Sequence, residues 1–127
     1  MAQRLTLVVL AVLLALVRQA GAVDGGVIKV VAASYNTAGD QTVVAGVANQ
    51  RIRVYQLKIY CNAANTLIVK DSTPTTLDYA MAFGAGAGMI LDNRDPMAWY
   101  ETAVGTALLF NWSTTGQCSV RLWYTQG

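Results

Sequence analysis

From Gln117 to Thr125, every second residue is apolar and inward-suited: Cys118, Val120, Leu122 and Tyr124 alternate with Ser119, Arg121 and Trp123. A period of two is the signature of an extended strand with one buried face, because successive side chains of a strand point to opposite sides. Residues 106–112 repeat it, with Leu108, Phe110 and Trp112 in one phase. Clusters of Asn, Asp, Gly, Ser and Pro break the chain between such runs, at 36–40, 49–50, 62–65, 71–74 and 92–96. Short alternating runs between turn signals predict an all-β chain, an antiparallel β-sandwich of jelly-roll-like form with about eight strands.

The remaining strands follow from the same pattern. Residues 27–34 read as a half-buried strand with Ile28, Val30 and Ala32 on the apolar face and Lys29 opposite, and residues 36–40 as a turn. A β-branched strand covers 42–48, and a long one covers 51–61. Within the long strand Ile52 and Val54 share one parity, whereas Leu57, Ile59 and Cys61 share the other. A one-residue change of phase at Val54–Tyr55 predicts a β-bulge, or burial on both faces at the middle of the strand. A short strand at 66–70 precedes a run in which Leu77, Tyr79, Met81 and Phe83 alternate toward one side. The glycines from Gly84 to Gly88 lack dinucleotide-binding spacing, and no helical pattern follows, so they read as a flexible or tightly packed loop. Residues 97–105 read as irregular, with one helical turn at most.

Ahead of this body lies a hydrophobic segment. Arg4 precedes an apolar run from Leu5 to Val17 broken only by Thr6, followed by Arg18, Gln19 and the small residues Ala20, Gly21 and Ala22. These are the parts of a secretory signal peptide cleaved after Ala22. Thirteen helical residues span about 20 Å against roughly 30 Å of bilayer core, which argues against a stable membrane span. If the segment is retained, residues 1–26 form an arm whose apolar side chains, among them Leu5, Val8, Val9, Val12 and Leu16, must be covered by other protein. Residues 27–127 are then the single β-sandwich domain, since 127 residues leave no room for a second.

Charge and residue chemistry exclude several functions. The net charge of +2 comes from Arg4 and Arg18: nine basic residues less these two leaves seven, equal to the seven acidic ones. A neutral body offers no electrostatic footprint for nucleic acid. Only 13% of residues are charged, against about 25% in an average soluble protein. So little charge favours a surface protected by contact with neighbouring copies.

The chain has no histidine, which removes the usual general base and the commonest metal ligand together. The residues predict no enzyme, no cofactor and no metal site. The nearest carboxylates to a catalytic pair are Asp92, Asp95 and Glu101, and an Asp in a turn is expected for its side-chain-to-backbone hydrogen bonds.

Cys61 and Cys118 fall on the apolar phase of their strands. In an exported protein they would pair across the sandwich; in a cytosolic one they would pack as two core thiols. Trp99, Tyr100, Trp112, Trp123 and Tyr124 are candidates for a sugar-binding platform, but in a sandwich this poor in charge the tryptophans are expected in the core or in a subunit interface. Trp123 leads them as a sugar platform because it has the parity opposite Cys118, and Trp99, Tyr100 and Trp123 are the candidates for an interface.

Two stretches, TVVAGVANQRIRVY at 42–55 and PMAWYETAVGTAL at 96–108, place a strand, a polar turn, an Ile-Arg-Val strand and a Glu-Thr-x-x-Gly-x-Ala-Leu segment before two closing strands. In this the chain resembles small β-sandwich proteins of tailed bacteriophages, the capsid decoration or cement proteins and fibre components. The resemblance covers roughly residues 27–124 and does not extend to the hydrophobic segment. It implies a virion structural protein that binds the major capsid protein or another virion protein, as a homo-oligomer with the trimer favoured, on the virion surface. The other expectation is a secreted or periplasmic module for a carbohydrate or surface ligand, released by cleavage after Ala22. Glu101 and Thr102 suit the capping of local backbone donors, with Gly105 releasing the chain into the next strand.

Overall fold

The computed structural model describes residues 26–92 and 97–127. Nine strands follow in chain order: β1 (Lys29–Tyr35), β2 (Gly39–Val44), β3 (Ile52–Cys61), β4 (Asn65–Asp71), β5 (Met81–Phe83), β6 (Ala87–Asp92), β7 (Tyr100–Glu101), β8 (Leu108–Trp112) and β9 (Cys118–Gln126). One sheet runs β1-β9-β3-β6, with β7 also paired to β3, and the other runs β2-β8-β4-β5. All pairings are antiparallel. The chain changes sheets at most of its connections, and with the two-residue β7 set aside this strand order is that of a jelly roll. The described residues contain no helix.

Alternation creates the core. The inward residues of β3, β4, β8 and β9 meet between the sheets as Ile52, Val54, Leu57, Ile59, Leu67, Val69, Leu108, Phe110, Trp112, Val120 and Leu122. Phe110 and Trp112 pack edge to face at 6.0 Å, an arrangement aromatic quadrupoles favour. The predicted bulge is present: the β3–β9 register shifts between Val54 and Gln56. The extra residue keeps Ile52 and Val54 inward together with Leu57, Ile59 and Cys61. On the far side of β3, β7 covers Arg53 and Val54 while β6 covers Gln56 to Cys61, so the bulge lies at the break between the two.

Several expected features differ. In β1 the half-buried residues are Val31, Ala33 and Tyr35, whereas Ile28, Val30 and Ala32 face outward. Both parities of this strand are apolar, and its pairing to β9 decides: Val31, Ala33 and Tyr35 stand opposite the inward Leu122, Val120 and Cys118. Strand β2 begins inside the expected turn and stops at Val44, because its ladder to β8 ends at Leu108. The loop at the glycines is only residues 84–86, after which Ala87 and Gly88 pair with β3. Instead of a helical turn, residues 97–105 contain β7. Tyr79 does not join the inward side of Leu77, Met81 and Phe83; it is 90% exposed.

The sandwich has two unlike ends. At one, small or polar turns join the strands at residues 36–38, 62–64, 84–86 and 113–117, and none exposes a large apolar side chain. At the other, longer loops cover residues 45–51, 72–80 and 102–107, and Gly26 to Ile28 lead into β1.

Candidate functional site

Two of the three candidate carboxylates, Glu101 and Asp92, are engaged by neighbouring side chains. Glu101 accepts from Arg51 Nη1 at 2.7 Å and from Arg53 Nε at 3.2 Å, so two arginines occupy it and it caps no backbone donor. Thr102 does cap: its buried hydroxyl accepts the Ile52 N–H at 3.1 Å. Asp92, at the end of β6, accepts from Gln56 Nε2 at 2.8 Å. Asp95 lies outside the described residues, as do the arm residues Leu5, Val8, Val9, Val12 and Leu16. Among the described residues no group of three His, Cys, Asp or Glu could hold a metal ion.

Cys61 and Cys118 form a disulfide, but within one sheet rather than across the sandwich. They are direct partners on the neighbouring strands β3 and β9, with Cα atoms 4.0 Å apart. The adjacent Asn62 N–H bonds Gln117 O, which makes the cysteines a non-hydrogen-bonded pair, where an antiparallel ladder brings facing side chains closest.

The aromatics separate into core and surface. Trp112 and Tyr124 are buried, and so is Tyr100, 4% exposed, which removes it from the interface candidates. Its hydroxyl donates to Asp78 Oδ2 at 2.7 Å, and burial, with that carboxylate beside it, pushes the phenol well above the ordinary tyrosine range. Trp99 is exposed, its N–H bonded to Val54 O at 2.8 Å along the edge of β3. Trp123 is half-buried on the outer face of the five-stranded sheet.

On that face the register sets three rows: Val30, Trp123, Gln56 and Asp92; then Ala32, Arg121, Lys58 and Ile90; then Ser34, Ser119, Tyr60 and Gly88. Lys58 Nζ lies 5.6 Å and Arg121 Cζ 6.0 Å from the centre of the Trp123 ring, within cation–π range. Ser34 and Ser119 hydroxyls meet at 3.1 Å. The second and third rows line an open trough of about 970 Å³. Of this group only Trp123 was singled out from sequence. The signal for the rest was there, since Arg121 shares the parity of Trp123, and Lys58 and Tyr60 share the outward parity of β3. Their union depended on β9 lying beside β3, which no local pattern states.

A second surface is the loop end. Gly105 N–H donates to Gln50 O at 2.7 Å, and a side chain on Gly46 would strike Gly105 O at 2.7 Å, so residues 45–50 and 102–107 press together. This places the exposed Val47 and Val104 on one surface, near which Val27 and Ile28 enter β1. Tyr79 and Trp99 flank it on the side where Tyr100 meets Asp78. No protein-family model matches the chain, and neither a curated protein nor a solved structure does so.

Proposed function

We propose that this protein is a virion structural protein, a capsid decoration or cement protein that binds the outer shell as an oligomer. The observation that carries the reading is the asymmetry of the two ends: the turns at 36–38, 62–64, 84–86 and 113–117 expose no large apolar side chain, whereas Val47 and Val104 stand exposed on the loop end where Val27 and Ile28 lead in. Exposed apolar groups gathered at one pole mark a contact surface. Gly26 leads into the domain at this pole, and residues 1–26 serve as the anchoring arm. The mechanism is added interface area, repeated by symmetry, which raises the free energy needed to open the shell without chemistry. Removing residues 1–22 is expected to abolish particle binding while the sandwich remains folded; unchanged occupancy on particles rules out the arm as the grip.

The disulfide favours a second reading, a secreted or periplasmic binding module freed by cleavage after Ala22, because such bonds persist in oxidising compartments. Thiol titration of the denatured, unreduced protein separates the two. Two free thiols count against export, and an intact mass beginning at Val23 makes the secreted module the better account.

A further inference from the structure

Elsewhere on the described surface three of the four cations are neutralised by acids, Arg51 and Arg53 sharing Glu101 and Lys70 Nζ standing 3.1 Å from Asp40 Oδ2, and Lys29 at the start of β1 is the isolated exception. The outer face of the five-stranded sheet breaks this pattern. Lys58 and Arg121 are direct cross-strand partners, the placement in which like charges destabilise a sheet, and among the described residues neither forms an ion pair. The neighbouring acid, Asp92, is engaged by Gln56. Both cations gather over one indole, which holds two positive charges side by side at the wall of the trough.

We infer that this trough is a binding site for a carboxylated sugar, with the carboxylate held between Lys58 and Arg121 and the ring lying on Tyr60. Tyr60 is 52% exposed and stands in the row next to that of Lys58 and Arg121, on the side away from Trp123, so a ligand lying along the trough meets both the cations and the phenol. Its phenol offers an apolar face to the C–H side of a pyranose, and the paired hydroxyls of Ser34 and Ser119 beside it offer donors and acceptors to sugar hydroxyls. Gly88, opposite Tyr60, keeps the floor low: a Cβ there would lie 2.5 Å from Ile59 O, so the position takes no side chain. Ala32 continues that floor, and Ile90 forms an apolar wall.

A carboxylate carried on a sugar ring, with one anionic group per ring, fits better than the closely repeated phosphates of a nucleic acid. Nucleic acid binding draws on many phosphate contacts, whereas this face has two cations and an acid in the adjoining row, on a body of balanced charge.

The test is titration calorimetry on the chain as recovered from its source, with hexagalacturonate and an α2,8-linked sialic acid tetramer as probes. Saturable binding of at least one is expected, weakened at least tenfold by Tyr60→Ala and by Lys58→Glu. Carboxyl reduction of the probe that binds should weaken it equally. Lys58→Glu places an acid opposite Arg121, so its melting temperature should match or exceed that of the native chain, which separates lost binding from lost fold. The inference is overturned by absence of binding to both probes, by unchanged affinity in Lys58→Glu, or by equal affinity for single-stranded DNA of matching charge.

Discussion

The two ends of β4 carry the two most informative polar residues of the core. Along this strand the inward positions are Asn65, Leu67, Val69 and Asp71, two apolar residues between two polar ones, with Asn65 5% and Asp71 2% exposed. At the turn end, Asn65 Nδ2 donates to Thr114 O and Gly116 O at 3.2 and 2.8 Å. Its Oδ1 accepts the N–H groups of Thr66 and Thr114 at 2.9 and 3.0 Å and the Ser113 hydroxyl at 3.2 Å. At the loop end the Asp71 carboxylate only accepts. The N–H groups of Thr73 and Thr75 reach Oδ1 at 3.0 and 3.1 Å, the Thr73 hydroxyl joins them, and the Ala103 N–H reaches Oδ2 at 3.1 Å. A turn that presents both carbonyls and N–H groups is satisfied by a neutral amide. A pair of loops presenting four donors needs a carboxylate, and charge-assisted hydrogen bonds are the stronger kind. The end at which Val47 and Val104 stand exposed is therefore organised by a buried charge.

Three measurements press on that difference. The largest effect is expected from Asp71→Ala, which strands the N–H groups of Thr73 and Ala103 and leaves the Thr75 N–H only the Thr73 hydroxyl; about 4 kcal/mol of unfolding free energy should be lost in urea titrations. A loss below about 1 kcal/mol would mean that the loops hold their shape without the carboxylate. Asn65→Ala should cost about 2 kcal/mol, less because neutral hydrogen bonds are lost. The two sites lie about 20 Å apart along the strand, so the double variant should lose the sum, within about 0.5 kcal/mol.

The smallest effect is a difference in acid sensitivity. Burial opposes ionisation of Asp71, but its bonds from Thr73, Ala103 and Thr75 outweigh it and hold the carboxyl below the usual range. A lowered native pKa contributes stability that is complete above the unfolded value, near 3.9, and is lost as pH falls through the native one. Chemical denaturation from pH 5 downward should show this acid limb in the native chain and in Asn65→Ala, and a shallower one in Asp71→Asn. Asp40, held low by Asn111 and then Lys70, titrates in all three and cancels from the comparison.

Much of the fold was legible in the order of residues. Alternation marks β8 and β9 and their buried faces, and the phase change at Val54 and Tyr55 narrows that point to a bulge or burial on both faces, between which the β3–β9 register decides. Where both parities of a strand are apolar, as in β1, the pattern is silent, and the burial of Val31 rather than Val30 was decided by the neighbour across the ladder. The same limit applies to the polar core. Asp71 reads locally as the first residue of a turn, and that it also holds Ala103, 32 positions away, is a fact of the folded sandwich.

The sequence by itself therefore determined most of the extended segments, though not β6 or β7, which side chains can share a face, and that histidine chemistry is absent, because those properties depend on residues within a few positions of one another. Only the tertiary structure decided which strands are neighbours. That choice set Cys61 against Cys118 within one sheet, buried Tyr100 on Asp78, and brought Lys58, Tyr60, Arg121 and Trp123 onto one surface. Such pairings arise when two sheets bury their apolar faces together, and a burial energy that sums over the whole interface cannot be read from any one segment.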